Sequence, residues 1–435
     1  MKRKTWTKRL TGLFLSVAVF ATAMGGAATK ADAAPAADLQ LAAKSAILLE
    51  ASTGKILYSI NPDVPLPPAS MSKMMSEYLV QEAVKQKKIT WDEQVPVSEY
   101  AFYVAKISDA SGVYLNAGES FSVRELYKAM AVVSANDATV LLAEKVAGSE
   151  PNFVQMMNKK AKELGMTNTS FVTSTGLPAN ELGPYSVQTD QVENLMSARD
   201  SAILARALIR DFPEAIEVSK IPRLTFRDGK PNELKKANYN WMLPDLNNYY
   251  PGADGLKTGY TKAAGYCFTG SATRDNMRVI SVVMGTENET KRFVETKKLF
   301  DYGFSNFKLT KQMDKGATIK GFETAPVKNG VELTVGAQAG SEVNVLTKIG
   351  TEAKYTPTVT FQELQAPIKQ GQVIGKLVLK EEGAKDSDYL QPEDAAKAGI
   401  DVVASQEVEE GSWIRLFFRS IIQFFSNLFS SATGK

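Results

Sequence analysis

The order of hydrophobic patterns along the chain limits its fold more than any other feature of the sequence. Two β-type runs within residues 45–60 flank Ser52-Thr53-Gly54 and predict a hairpin. Helical periodicity dominates from Ser70 to about Leu164 and returns at Ser197–Arg210. Three strands and a closing helix are predicted later, at Gly255–Thr261, Gly265–Thr273, Met277–Gly285 and Thr290–Asn306. Strands at both ends with helices between them predict an α/β domain built on one antiparallel sheet.

The pattern changes after residue 306. Residues 307–402 hold no long helical pattern but many short alternating runs separated by glycines, such as Val331–Val335 and Thr356–Phe361. This pattern is typical of a small all-β domain, either a sandwich or a barrel.

The N-terminal segment has the composition of a targeting sequence. Five basic residues between Lys2 and Arg9 precede the apolar run Leu10–Met24, and Ala31-Asp32-Ala33 supplies an A-x-A cleavage site. Residues 1–33 are therefore predicted to be a secretory signal peptide. A permanent membrane anchor is the alternative, but the apolar run is short for about 30 Å of hydrocarbon.

Residues 403–435 are predicted to form an acidic hinge and an amphipathic membrane-anchor helix. In Trp413–Phe429 the polar residues recur every three to four positions and form one narrow stripe on a largely aromatic and aliphatic helix. Such a helix suits the membrane interface. We expect residues 411–435 to hold an exported protein peripherally on the outer face of a bacterial cytoplasmic membrane. A helix packed on the core of the last domain is the alternative.

The composition excludes several kinds of chemistry. The chain has no histidine, which excludes a Ser-His-Asp triad and His-ligated zinc. Its single cysteine, Cys267, excludes an internal disulfide and a cysteine-rich metal site. Residues 34–435 carry 45 basic and 47 acidic side chains, so no nucleic acid partner is expected. We expect no metal and no cofactor.

The first candidate motif is S-x-x-K, which begins at Ser52, at Ser70 and at Ser305. Only Ser70 is placed at a helix start, where free N–H groups and the helix dipole favour a developing oxyanion. Lys73 follows one turn later on the same face. A neutral amine at that position can take the proton of the Ser70 hydroxyl. An N-cap serine beside a solvated lysine is the structural alternative.

The second motif is Ser134-Ala135-Asn136, in a loop between two predicted helices. Such a loop can present the Ser134 hydroxyl as a proton relay and the Asn136 amide to the substrate backbone. Helix capping explains this tripeptide better when it is taken alone.

The third motif, Lys257-Thr258-Gly259, occurs once and is predicted to open the first strand of the later sheet. A lysine with a neighbouring hydroxyl matches a terminal carboxylate, and the glycine lets a substrate lie against the strand edge. The next amide, at Tyr260, can pair with that of Ser70 as an oxyanion hole. An ordinary edge-strand lysine is the alternative.

The three motifs together, in this order and in these elements, are the signature of the penicilloyl-serine transferases. The chain closely resembles the low-molecular-mass penicillin-binding proteins that are D-alanyl-D-alanine carboxypeptidases. The segments PPASMSKMM, NDATVLLAEKVAGSE and DGLKTGYTKAAGYCFTGSA look like that subfamily. So does the layout, which we predict as signal peptide (1–33), catalytic domain (34–306), β-rich domain (307–402), and hinge with anchor (403–435).

The resemblance implies a reaction and its catalytic residues. Ser70 would attack the peptide bond between two D-alanines at the end of a peptidoglycan stem peptide, and water would hydrolyse the acyl-enzyme. Lys73 would accept the proton, Ser134 would relay it, and Asn136 would orient the substrate. β-Lactams would inhibit the enzyme by acylating Ser70.

The resemblance also implies how the substrate is held. Lys257 and Thr258 would bind the terminal carboxylate, and Gly259 would leave room for the substrate. The amides of Ser70 and Tyr260 would bind the oxyanion. Arg292 matches a family arginine near the carboxylate site.

Three other interpretations stay open at the level of sequence. A class A β-lactamase needs a glutamate in an E-x-x-L-N loop, and residues 137–256 contain none. An endopeptidase or transpeptidase uses the same set of residues. A catalytically silent peptidoglycan-binding scaffold would retain the fold, although the presence of every motif residue argues against it.

Overall fold

The structure is a computed structural model that describes residues 38–186, 190–351, 354–392, 394, 399–419 and 421–422. The predicted signal peptide, its cleavage site and residues 423–435 of the predicted anchor lie outside these residues. Within the described ranges, no helix combines the length and the apolar character needed to cross a bilayer.

Of the described α-helices, five lie within the predicted helical run, one matches the predicted Ser197–Arg210 segment and one matches the predicted closing helix, while a short helix (α7) was not predicted. They are α1 (Lys73–Lys85), α2 (Glu99–Val104), α3 (Val123–Val133), α4 (Asn136–Ala147), α5 (Glu150–Glu163), α6 (Ala198–Asp211), α7 (Glu214–Ser219) and α8 (Glu289–Asn306). Several begin at a serine or asparagine whose side chain accepts a backbone N–H, as Ser122 does for α3 and Ser197 for α6.

The strands fall into two groups along the chain. Those of the first part are β1 (Ser45–Glu50), β2 (Ile56–Ile60), β3 (Gln94–Pro96), β4 (Ser120–Ser122), β5 (Thr169–Ser170), β6 (Leu195–Met196), β7 (Arg223–Phe226), β8 (Leu234–Ala237), β9 (Ala253–Thr261), β10 (Gly265–Arg274) and β11 (Met277–Thr286). Those of the second part are β12 (Phe307–Met313), β13 (Thr324–Lys328), β14 (Thr334–Ala339), β15 (Val343–Lys348), β16 (Tyr355–Phe361), β17 (Leu364–Gln365), β18 (Val373–Glu381) and β19 (Ile400–Ala404).

One antiparallel sheet organises the first part, as the sequence predicts. Its strand order is β2-β1-β11-β10-β9, so the first hairpin pairs with the three later strands and β9 lies at an edge. Side chains alternate between its faces: Ile47 and Leu49 pack with the helical cluster, and Ala46 and Leu48 pack in a second core with Phe293 and Phe300 of α8. Helices therefore cover both faces.

The second part is all β, which confirms the predicted fold class. A six-stranded sheet has the order β16-β18-β19-β14-β13-β17, and β12 pairs separately with β15. Its core is formed by alternating aliphatic residues such as Val335, Ile374 and Val402.

Three sequence expectations differ from the structure in detail. The run Val331–Val335 is a strand only from Thr334, because the preceding residues form the turn between β13 and β14. Strand β19 crosses the expected boundary at 402, and bridges at Val408 and Glu410 keep the expected hinge paired with this β-rich region. Finally, Lys257-Thr258-Gly259 lies inside β9 and does not open it, since the strand begins at Ala253.

The segment between β18 and β19 contacts the first part of the chain. Tyr389 forms a β-bridge with Lys55, and the Leu390 N–H donates to the Gly54 carbonyl at 2.7 Å. Asp394 pairs with Arg206 at 2.7 Å, with both side chains largely buried. These contacts join the β-rich region to the β1–β2 hairpin and to α6.

Residues 413–419 are helical, and they begin the predicted amphipathic segment. The Arg419 guanidinium donates to the carbonyls of Gly330 and Val331 at 2.8 and 3.2 Å. Its neighbours Trp413, Phe417 and Phe418 are more than half exposed. The described part of this helix therefore turns a polar side chain to the β-rich region and leaves aromatic ones in solvent.

Candidate active site

Ser70 lies in a single 3-10 turn, Ala69–Ser72, that leads directly into α1. Pro67 and Pro68 precede it, and prolines favour extended or helix-starting backbone because their φ is fixed. The helical N–H groups that follow have no partner within their own first turn. Ser70 is therefore held at the N-terminal end of a buried helix, as the sequence predicts.

Lys73 is completely buried and its amine lies beside the Ser70 hydroxyl. Its Nζ atom is 3.0 Å from Ser70 Oγ, 2.6 Å from Asn136 Oδ1 and 2.7 Å from the Thr175 carbonyl oxygen. Burial, and next the nearby charge of Lys257, hold the pKa of Lys73 well below its usual value. A neutral amine within hydrogen-bond distance of a hydroxyl can act as its general base.

The Ser134 loop joins α3 to α4. Ser134 ends α3 in the left-handed conformation at φ 56°, and α4 begins at Asn136. Among the described residues, the buried Ser134 hydroxyl has no hydrogen-bond partner. The Asn136 amide accepts from Lys73 and donates its Nδ2 hydrogen to the Ser111 carbonyl at 2.9 Å. The loop thus positions one unpaired hydroxyl and one amide that is hydrogen-bonded at both its oxygen and its nitrogen.

Strand β9 passes very close to the Ser70 turn. A Cβ atom placed on Gly259 would lie 2.3 Å from the Pro68 carbonyl oxygen and 3.3 Å from the Met71 nitrogen. Only glycine allows this approach. Tyr260, the next residue along the strand, lines the same cleft as Ser70.

Lys257 and Arg292 place positive charge beneath and beside this strand. Lys257 is 2% exposed, and burial lowers its pKa to about 8, with Glu77 opposing that change and Arg292 adding to it. The Arg292 Nη1 atom donates to the Gly259 carbonyl at 3.4 Å, and Nη2 pairs with Glu289 at 2.9 Å. Positive groups therefore lie where the sequence predicts a carboxylate site.

A cleft of about 290 Å³ collects most of these residues. Its walls include Ser70, Ser134, Asn136, Thr258, Gly259, Tyr260 and Arg292. Lys73 and Lys257 are not part of its surface and lie below it. The three motifs, which are separated by up to 189 positions in the sequence, therefore meet at one site.

Residues outside the three motifs support this site from behind, and none of them was predicted from the sequence. The Thr175 carbonyl oxygen accepts a hydrogen bond from the Lys73 amine. The loop that carries Thr175 is fixed by the Glu150 carboxylate, which accepts from the Ser174 N–H at 2.9 Å and from the Ser174 hydroxyl at 2.5 Å. In the same loop, Gly176 has φ +78°, and a Cβ there would lie 2.0 Å from the Ala69 carbonyl oxygen. No short motif marks this loop, because its contribution is made by backbone atoms.

A second missed residue is Asp137, directly after the Ser-x-Asn motif. Its buried carboxylate accepts from the N–H groups of Val113 and Leu115 at 3.1 to 3.2 Å. These contacts fix the loop that carries Ser111, whose carbonyl orients Asn136. An acidic residue inside an apolar helical segment was the signal available in the sequence.

Comparison with known proteins gives two family matches. The sequence profile described as D-alanyl-D-alanine carboxypeptidase matches residues 29–288. The profile described as penicillin-binding protein 5, C-terminal domain, matches residues 307–410.

Individual proteins resemble the chain over most of its length. D-alanyl-D-alanine carboxypeptidase DacF of Bacillus subtilis (strain 168) is 35% identical over 397 residues, which is 90% of this chain and 96% of DacF. The crystal structure of PBP3 from Streptococcus pneumoniae, described as a peptidoglycan synthesis regulatory factor, superposes with a TM-score of 0.77 at 35% identity, over 85% of this chain and 100% of that one. Penicillin-binding protein D2 of Listeria monocytogenes, in its ampicillin-bound form, superposes with a TM-score of 0.53 at 35% identity, over 62% and 100%.

Proposed function

Because the chain belongs to the D-alanyl-D-alanine carboxypeptidase family, we propose that Ser70, Lys73 and Ser134 are its catalytic residues. The protein is a serine-type peptidase, a hydrolase that acts as a D-alanyl-D-alanine carboxypeptidase in peptidoglycan metabolism. The single observation that carries the residue assignment is the 3.0 Å distance between Lys73 Nζ and Ser70 Oγ beneath an open cleft. We assign the reaction to residues 34–306.

In the acylation step, Ser70 Oγ attacks the carbonyl carbon of the penultimate D-alanine as its proton passes to Lys73 Nζ. The depressed pKa of Lys73 supports this role, because only the neutral amine accepts a proton. The developing oxyanion is bound by the N–H groups of Ser70 and Tyr260. The close approach of Gly259 to the Ser70 turn supports that pairing.

The leaving D-alanine needs a proton on its amine when the tetrahedral intermediate collapses. Ser134 is suited to deliver it, since its hydroxyl is buried at the cleft without a partner among the described residues. Lys73 then supplies the proton to Ser134. Asn136 holds the Lys73 amine in place and orients the substrate backbone.

The terminal carboxylate of the substrate is bound by Thr258 at the cleft wall and by the charges of Lys257 and Arg292. Their grouping at β9 supports this assignment. After D-alanine leaves, water attacks the acyl-enzyme and releases the shortened peptide. β-Lactams that present a carboxylate and a reactive amide at the same positions acylate Ser70.

Residues 411–435 attach the enzyme to the outer face of the cytoplasmic membrane in this proposal. Trp413 is 76% exposed, Phe418 59% and Ile422 68%, an exposure that suits insertion into the lipid interface. A chain ending at residue 410 is expected to lose sedimentation with membrane vesicles while it keeps its activity. Continued sedimentation of the shortened chain would contradict the anchor.

The decisive experiment is intact-protein mass spectrometry after incubation with benzylpenicillin. One adduct is expected on the wild type and none on Ser70→Ala. Ser52→Ala is the matched control, because it changes the first residue of another S-x-x-K motif and is expected to label normally. A labelled Ser70→Ala variant would reassign the nucleophile. A D-alanine release assay on a pentapeptide then measures turnover.

A further inference from the structure

A second cavity, of about 440 Å³, adjoins the catalytic cleft and has no part in the reaction described above. The two cavities share four lining residues, which are Asp109, Ala110, Leu177 and Tyr260. None of the residues assigned to the terminal carboxylate of the substrate lines the second cavity. This space, which we call the side cavity, therefore offers room for another part of the substrate.

Strand β9 determines which part of the substrate reaches the side cavity. In the proposed function, Thr258 binds the terminal carboxylate, and the scissile carbonyl lies between Ser70 and the Tyr260 amide. Thr261 and Lys262 follow along the chain and line the side cavity. Thr261 lies roughly 10 Å beyond Thr258, at about 3.3 Å per strand residue. In an extended peptide the third residue from the C-terminus is about 7 Å from the last one, so a substrate in this orientation brings its third residue to the side cavity.

Part of the lining of the side cavity is apolar. Ile107, Leu177 and Pro178 contribute aliphatic side chains. Tyr260 adds an aromatic ring, which is 54% exposed and stacks on the ring of Tyr266 with the centroids 4.3 Å apart. Stacking fixes the orientation of the exposed ring. A long aliphatic side chain can pack along such a surface while its polar end stays in water.

The rest of the lining carries charge. Asp109 and Glu181 contribute two carboxylates, and Lys262 contributes one ammonium group. All three residues are exposed, and none of their side chains has a hydrogen-bond or ion-pair partner within the described part of the chain. Asp109 also lines the catalytic cleft, so one of the acids lies where the two cavities meet. The cavity and the direction of the substrate define this site, and the excess of acids favours a cationic ligand group.

We propose that the side cavity binds the side chain of the residue that precedes D-Ala-D-Ala in the stem peptide, and that it selects a long aliphatic side chain ending in an ammonium group. The aliphatic part packs on the apolar lining and on the ring of Tyr260. The ammonium group pairs with Asp109 and Glu181. The inference rests on the substrate orientation in the proposed function and adds to it the residue type at the third position from the C-terminus.

The test compares kcat/KM of the full chain for two peptides of the form X-D-Ala-D-Ala, in which X is Nα-acetyl-lysine or Nα-acetyl-norleucine. Norleucine has the same aliphatic chain without the amine. The wild type is expected to prefer the lysine peptide by about fivefold, within the range of solvent-accessible ion pairs. In the double variant Asp109→Asn/Glu181→Gln, this preference is expected to fall to about one. General damage to the enzyme affects both peptides and cancels in the ratio.

Two further variants control for charge and for backbone conformation. Asp275→Asn makes the same change at another exposed aspartate with a left-handed backbone, at φ 46° compared with 61° for Asp109. Asp275 lies in the turn between β10 and β11 and does not line the side cavity, so the variant should keep the wild-type preference. Lys262→Met removes the ammonium group of the lining and should raise the preference by about twofold. Lys262→Met decides the result if the double variant does not fold.

The outcomes are distinct. Equal kcat/KM values of the wild type for the two peptides overturn the inference. A preference that persists in the folded double variant also overturns it, as does one that falls equally in Asp275→Asn, because the effect then belongs to the overall charge of the protein. If the double variant is unfolded, an unchanged or lower preference in Lys262→Met overturns it. A wild type that neither releases D-alanine from either peptide nor reacts with benzylpenicillin overturns the proposed function itself.

Discussion

The α/β region and the β-rich region bury different kinds of side chain. The α/β region encloses charged residues in its interior, among them Lys73, Glu77, Asp137, Lys257 and Glu295, each at most 2% exposed. Between residues 307 and 410, the described buried polar or charged residues are Thr347 and Asp394. Asp394 is the one that pairs with the α/β region.

This difference separates the work of the two regions. Burying a charge costs free energy unless it is paired or neutralised, so a group of buried ionisable residues indicates chemistry. The β-rich core consists of hydrophobic side chains, as stability alone requires. The ion pairs of this region, such as Lys376–Asp401, lie near the surface. Substitutions in the interior of the α/β region should therefore alter activity, and substitutions in the interior of the β-rich region should alter stability.

The largest expected effect is on activity, in Lys73→Met. Loss of the proposed proton acceptor should lower kcat/KM by about 10³-fold or more, within the range of general-base contributions, while the variant stays folded. Steady-state D-alanine release measures kcat/KM, and circular dichroism shows whether the variant is folded. Lys369→Met, at an exposed site of the β-rich region, is the control and should retain full activity. If Lys73→Met retains more than a tenth of the wild-type activity, the claim that the buried charges of the α/β region carry out the chemistry is contradicted.

The next effect is on stability, in Ile374→Ala. Ile374 is fully buried in the β-rich core, and its truncation should lower the free energy of unfolding of that region by about 2–5 kcal/mol. Urea titration followed by far-UV circular dichroism measures it, and kcat/KM at 25 °C should stay within twofold of wild type. The neighbouring Val373 is 37% exposed, so Val373→Ala should change stability by less than about 0.5 kcal/mol. If Ile374→Ala and Val373→Ala lower the free energy of unfolding equally, Ile374 does not lie in the core of the β-rich region.

A smaller effect is expected where the two regions touch. Asp394→Asn weakens the pair with Arg206, a hydrogen-bonded ion pair at 2.7 Å, and should cost about 1–3 kcal/mol. Hydrogen exchange should increase at the contact residues around Leu390 with little change in kcat/KM. Asp386→Asn, in an exposed turn of the same segment, should leave exchange unchanged. A fall in kcat/KM as large as that of Lys73→Met would mean that the contact shapes the active site.

The smallest expected effect is a pH dependence that belongs to the α/β region alone. Burial lowers the pKa of Lys257 to about 8, so its charge is present below that pH and is lost as the pH rises through it. The wild-type kcat/KM for a peptide with a free carboxylate should therefore fall by about tenfold between pH 7 and pH 9. A C-terminally amidated peptide should not show this decline, and Ile374→Ala should keep the wild-type limb. If kcat/KM declines equally with both peptides, Lys257 does not bind the substrate carboxylate.

The sequence predicted the parts of the structure that repeat a local pattern. The β1–β2 hairpin, the helical run, the β9–β11 meander and the all-β character of the second part are confirmed, because hydrophobic periodicity reports directly on burial. The details that failed were local, such as the start of β14 and the continuation of strand pairing to Glu410. Pairing between segments that are distant in sequence, such as Gly330 with Glu410 and Ile368 with Val408, leaves no periodic mark on the sequence.

The site was predictable only where side chains carry a motif. Ser70, Ser134 and Thr258 reach one cleft as expected. The Thr175 carbonyl was not predictable, since any residue type supplies a carbonyl. Glu77 was visible as an acid one turn after Lys73, but only its burial distinguishes it from a solvated helix residue.

The close packing of Gly176 against the Ser70 turn limits the substitutions that this position tolerates. Its backbone is left-handed, and a Cβ atom there would lie 2.0 Å from the Ala69 carbonyl oxygen, so the position has no room for a side chain. Any replacement would displace the turn that carries Ser70. In a library that varies this codon, glycine is therefore expected to be the residue that folded and active variants retain.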